Sequence, residues 1–125
     1  MNIYQATLMD HYKNPRNRGT LPMPDFISDQ HNPSCGDQIC MAGMISNGLV
    51  TQLVFEGKGC VISQATASLL TTHVIGAAYD TILSMDGSAI QQLIGMELGP
   101  TRLKCALLSL QALQQGLTIY RQSHL

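Results

Sequence analysis

Residues 38–56 make two runs rich in apolar and β-branched side chains on either side of Asn47-Gly48. That dipeptide readily supplies the positive φ angles of a two-residue turn, so the segment is predicted to be an antiparallel hairpin. In the second run Leu49, Thr51, Leu53 and Phe55 share one face, and Val50, Gln52, Val54 and Glu56 share the other. The first set is expected to be the better buried. Residues 26–30 are a candidate third strand.

Beyond Gly57-Lys58-Gly59 the period changes. Ile62, Ala65, Leu69 and His73 recur one turn apart with small Ser63, Ala67 and Ser68 between them, which predicts a closely packed helix to about Gly76. A weaker helix is expected over 88–94. After Pro100, Leu103, Ala106, Leu107, Leu110, Leu113 and Leu117 fall at spacings of three and four and mark the last helix. Ahead of the hairpin, Ile3, Ala6, Thr7, Leu8 and His11 predict an amphipathic helix over 3–12, ended by Asn14-Pro15. Strands followed by helices give an α+β fold, with a three-stranded antiparallel sheet carrying helices on one face.

The 125 residues are 45% hydrophobic and 12% charged, the balance expected of a single domain over 1–125. Seven Lys and Arg against eight Asp and Glu give a net charge of -1, so no nucleic-acid partner is expected. Gln, Ser, Thr or Gly interrupts every apolar stretch well short of the roughly 18 to 20 residues that cross a bilayer, so no membrane span is expected. Residues 1–13 include Asp10 and resemble neither an export signal nor a transit peptide, which points to the cytoplasm. In that reducing compartment four cysteines suggest metal binding or thiol chemistry before disulfides.

Three of them fall at element boundaries: Cys35 in the turn 32–37, Cys60 after Gly59, and Cys105 in the first turns after Pro100. A thiolate near a helix N-terminus meets unpaired N–H groups and the positive end of the helix dipole, an activation expected for both Cys60 and Cys105. Arg102 and Lys104 flank Cys105 and would add to it, and Gly36 permits the tight turn that aims Asp37 at the same centre. Three sulfurs and one oxygen suit tetrahedral zinc, and equally an iron-sulfur cluster with one weak oxygen ligand. Cys40, inside an apolar run, reads as a small hydrophobe, and His11 and His73 read as packed or solvent-linked side chains. The seven Met residues are scattered and read as core filler. A structural zinc module would call for a close C-x2-C pair, which is missing, and neither that pair nor the His-x-Glu of a zinc deaminase is present.

Four segments in order carry a wider resemblance: 10–17 (Asp-His-Tyr-Lys-Asn-Pro-Arg-Asn), 32–37 (Asn-Pro-Ser-Cys-Gly-Asp), 57–60 with Ser63, Ala65 and Ser68, and 102–106 (Arg-Leu-Lys-Cys-Ala). In these the chain resembles the U-type iron-sulfur cluster assembly scaffolds, the family of IscU, SufU and the N-terminal domain of NifU. The resemblance implies a scaffold or carrier and not an enzyme. Such a protein accepts sulfur from a cysteine desulfurase, takes iron and electrons from donor proteins, assembles a transient [2Fe-2S] cluster and hands it to acceptor apo-proteins. It implies Cys35, Asp37, Cys60 and Cys105 as ligands, with zinc in the same site of isolated protein, and a hard carboxylate that keeps the cluster labile. Lys104 stands where the IscU branch carries His, as in SufU. The SufU likeness supplies the alternative, a zinc-dependent persulfide acceptor that activates a desulfurase through Cys35 or Cys105. Against this, the interval from Cys60 to Cys105 looks too short for the insertion usual in SufU. Leu98-Gly99-Pro100-Thr101-Arg102 replaces the Leu-Pro-Pro-Val-Lys that IscU proteins present to a dedicated Hsp70 chaperone, which weakens the expectation of that partner.

Overall fold

A computed structural model describes residues 2–34 and 36–124. In chain order the elements are α1 (Ile3–Lys13), β1 (Phe26–Asn32), β2 (Asp37–Ser46), β3 (Leu49–Lys58), α2 (Val61–Val74), α3 (Tyr79–Leu83), α4 (Gly87–Ile94) and α5 (Pro100–Ser123). The three strands form one antiparallel sheet in the order β1-β2-β3. α5 lies along β1 and β2, and α2 packs between α5, α1 and β3. No helix among the described residues is long and apolar enough to cross a membrane.

The hairpin forms as expected, with φ of 53° at Asn47 and 76° at Gly48. The face assignment of β3 is half right. Leu53 and Phe55 are buried, but Leu49 and Thr51 are exposed and Val50 is fully buried. The cause is a β-bulge: Met44 pairs with Gln52 while its neighbour Ile45 pairs with Val50, leaving Thr51 as the extra residue and reversing the alternation below it.

α1 starts in a capping box, in which Asn2 Oδ1 accepts from Gln5 N–H at 2.8 Å and Gln5 Oε1 accepts from Asn2 N–H at 3.0 Å. Of its expected stripe Leu8 and His11 are buried, whereas Ile3 is exposed. α2 is also where periodicity placed it, yet its buried face is different. Ser63, Thr66, Ala67, Leu70 and Val74 are sealed, Ile62 and Leu69 are half-buried and His73 is exposed. Having neighbours on three sides, α2 buries small and polar residues that a one-sided pattern leaves facing water. α3, only five residues long, was not expected. α5 buries Ala106, Leu110, Leu113 and Leu117 as predicted and adds Leu108 and Ala112, while Leu103 and Leu107 are half-buried.

The segment between α1 and β1 is sewn onto this frame. Arg16 N–H donates to Ser68 Oγ at 2.8 Å, Asn17 Nδ2 to Thr71 Oγ1 at 3.1 Å, and Phe55 N–H to the Asn17 carbonyl at 3.0 Å. The polar residues of α2 thus receive a loop as well as filling the core.

Candidate metal centre

The antiparallel register pairs Gln38 with Lys58, which places the start of β2 beside the end of β3. Asp37, the first residue of β2 and 1% exposed, therefore meets Cys60 just past β3. One Asp37 carboxylate oxygen accepts from Cys60 N–H at 2.9 Å, and the other accepts from the Cys60 thiol at 3.2 Å. Two glycines permit this approach. Gly36, at φ 74°, turns the chain into β2. Gly59, at φ 137°, lies so close that an added Cβ would stand 2.6 Å from the Asp37 carboxyl carbon.

Cys60 is the N-cap of α2, and its sulfur accepts from Ser63 N–H at 3.5 Å. A helix-end thiol with an unpaired N–H directed at it matches the expectation for this residue. The expectation for Cys105 is corrected. It is the sixth residue of α5, and Leu103 N–H already bonds the Gly99 carbonyl, so Cys105 lies past the unpaired N–H groups and beyond the first turn where the dipole acts. α5 contributes position instead: by packing on β2 it carries a buried Cys105 to Asp37 and Cys60.

One ligand atom from each of Asp37, Cys60 and Cys105 lies within 4.8 Å of the others, the outer two buried and Cys60 exposed. A tetrahedral zinc with sulfur at about 2.3 Å sets its ligands roughly 3.5 to 3.8 Å apart. The three donors thus need only a short inward movement to share an ion, and the proton shared between Cys60 and Asp37 is the one that metal would displace. Two soft thiolates and one hard carboxylate, all anionic when metal binds, fit zinc or iron. Cys35 lies outside the described residues.

The remaining sequence candidates go elsewhere. Cys40 is half-buried on the opposite side of the sheet, where burial first, then Asp29 and Glu56, push its thiol pKa up, as suits an inert side chain. His11 is packed, with Nδ1 2.7 Å from Ser68 Oγ. Burial and then Arg16 hold its pKa below the ordinary histidine value. Arg102 and Lys104 are exposed: Arg102 lines a recess with Leu8, Met9 and Ile62, and Lys104 one with His31, Asn32 and Pro33. Sequence reasoning missed the contact of Gly59 with Asp37, which joins residues 22 positions apart, whereas a helix-end N–H at the Cys60 sulfur, supplied by Ser63, was readable from Cys60 preceding a helix by one residue.

The family described as the NifU-like N-terminal domain matches residues 3–125. The chain belongs to the U-type scaffold family. Among curated relatives it is 38% identical to the zinc-dependent sulfurtransferase SufU of Bacillus subtilis, over 91% of this chain and 88% of that one. It is 30% identical to the iron-sulfur cluster assembly scaffold protein IscU of Thermotoga maritima, over 92% of each. The fold is shared with the N-terminal part of a nitrogen-fixing NifU-like protein from Brucella abortus, at a TM-score of 0.78 and 24% identity over 96% of this chain and 95% of that one. It is shared also with FiSufU of Fervidobacterium islandicum, at a TM-score of 0.75 and 23% identity over 89% of this chain and 93% of that one.

Proposed function

We propose that this U-type protein is a scaffold on which an iron-sulfur cluster is assembled and from which it is passed on. The observation that carries the reading is the convergence of Asp37, Cys60 and Cys105 at the edge of the sheet. Cys35, two residues before Asp37, completes the ligand set by position in the sequence. The cargo is a transient [2Fe-2S] cluster, the sulfur donor is a cysteine desulfurase, iron and electrons come from donor proteins, and acceptor apo-proteins take the product.

The chemistry follows from the donors. A thiolate of the centre attacks the outer sulfur of the donor's persulfide, so that a new S–S bond forms, the donor's S–S bond breaks and its cysteine leaves as thiolate. Each sulfur so delivered takes up two electrons to become sulfide, supplied by ferrous iron and an external reductant. The candidate acceptor thiols are Cys35 and Cys105. Cys105 is 6% exposed, so attack from it needs its neighbours to open first. Asp37 contributes a hard oxygen where a fourth thiolate would hold the cluster more firmly, which favours release.

Reconstitution tests this. Under anaerobic conditions with ferrous iron, L-cysteine, reductant and a cysteine desulfurase, the re-isolated protein should hold iron and acid-labile sulfide in comparable amounts. Asp37→Ala should assemble cluster and release it more slowly to an apo-acceptor. A Cys35→Ala/Cys60→Ala/Cys105→Ala variant that still assembles cluster would overturn the reading.

Lys104 favours a second reading, a zinc-dependent sulfurtransferase, the activity for which the 38% identical Bacillus relative is named. In that case zinc is retained, no labile sulfide appears, persulfide accumulates on a cysteine, and the desulfurase turns over faster when this protein is present.

A further inference from the structure

Residues 10–17 and Gly57-Lys58 supply none of the ligands, yet they face each other across one cavity. It has a volume of about 360 Å³ and is lined by His11, Tyr12, Pro15, Arg18 and Lys58, among others, and it reaches Gly59, the residue before Cys60. Its walls are fixed by the hydrogen bonds that tie Arg16 and Asn17 to α2 and β3.

The polarity of these walls is one-sided. Ser68 Oγ accepts from Arg16 N–H at 2.8 Å and lies 2.7 Å from His11 Nδ1, to which its hydroxyl is placed to donate. With Nδ1 acting as acceptor, the proton of this buried imidazole sits on Nε2, which has no hydrogen-bond partner among the described residues. Arg18, Lys58 and Tyr12 line the same cavity as His11. The side-chain acceptor Gln64 Oε1 is buried against Gly57 and sealed from a ligand. Glu56 does not line the cavity but lies 3.8 Å from Arg18, so it competes for that cation. Pro15 adds apolar wall, and the volume exceeds what an inorganic anion fills.

We propose that this cavity is a binding site for a small organic carboxylate, whose anionic end is held by His11 Nε2–H, Arg18 and Lys58 and whose carbon body lies on Pro15. The site depends on no assumption about the cargo of the metal centre. Free amino acids belong to this ligand class, L-cysteine and L-alanine included.

Titration of the full chain, zinc-loaded, with propionate, L-alanine, L-cysteine, inorganic phosphate and methylamine tests it by calorimetry, with the His11 Nε2–H proton followed by nuclear magnetic resonance. The carboxylates should bind saturably, shift that proton and bind more weakly as salt rises, while methylamine does nothing. Lys58→Gln and Arg18→Gln, both changes of exposed side chains, should each weaken binding about three- to fivefold. Glu56→Gln should strengthen it by freeing Arg18. Phosphate binding as tightly as propionate would reduce the site to a generic anion site and overturn the proposal. An unmoved His11 proton, or variants with no effect, would also overturn it. Zinc content, measured in every variant, distinguishes these results from failure of the metal-centre reading.

Discussion

Cys60 and Cys105 bring the same sulfur to the same place by opposite means. Cys60 is exposed at the N-cap of α2, held by a backbone N–H at its sulfur and a carboxylate beside it. Cys105 is buried in the second turn of α5, where the helix offers it no unpaired N–H. The difference teaches that a helix can contribute to a metal centre either through its end, by electrostatics, or through its flank, by rigid placement on a sheet. Asp37 stands between the two modes: it is itself buried, and it takes a hydrogen bond from the exposed partner's backbone.

The comparison is broken most severely at Gly59. Gly59→Ala forces a methyl group onto the Asp37 carboxylate in a backbone conformation that side chains resist. It should cost about 3 kcal/mol of stability and abolish tight zinc binding, as read by urea denaturation and by competition with a zinc chelator. Replacing the thiols separately sharpens the contrast. Cys60→Ser and Cys105→Ser should each weaken zinc by more than about a hundredfold, since losing a ligand exceeds the 10- to 100-fold cost of losing an outer hydrogen bond. Only Cys105→Ser, which buries an extra hydroxyl, should also destabilise the metal-free protein, by about 1 to 2 kcal/mol.

That asymmetry marks how far the chain could be read in advance. The hairpin was legible because Asn47-Gly48 dictates its turn locally, and α5 because its leucines keep one period over many turns. The inward turn of Val50 was not, because a bulge at Thr51 depends on the partner strand. Cys60 was correctly read as a helix-end thiol from Gly59 beside it. Cys105 was misjudged because the distance from Pro100, five residues, already exceeds the reach of the helix end. The convergence of Asp37 with Cys60 depends on strand register and on a steric allowance at Gly59, neither of which local sequence displays.

Smaller effects test the same distinction. In metal-free protein without a desulfurase, a soluble alkylating reagent should modify Cys60 at least about tenfold faster than Cys105, as read by peptide mass mapping, because access limits the buried thiol. Equal rates would remove the difference between exposed and placed sulfur. The gentlest perturbation is pH. His11 is held neutral by burial and by Arg16, so its folded pKa lies below the unfolded one. The unfolded chain then takes up the proton first, and the stability of the metal-free protein should fall as pH drops below about 6.5. His11→Gln should flatten that dependence in urea titrations.

The central claim, that Asp37, Cys60 and Cys105 share one metal ion, is tested most directly with cobalt(II) in place of zinc. Wild type should show tetrahedral d–d absorption together with thiolate-to-cobalt charge-transfer bands. Cys60→Ser and Cys105→Ser should each lower the charge-transfer intensity by one thiolate's share, and Asp37→Ala should shift the d–d bands while leaving the thiolate bands in place. Charge-transfer intensity unchanged by either cysteine substitution would show that these residues, though neighbours in the fold, do not hold the metal.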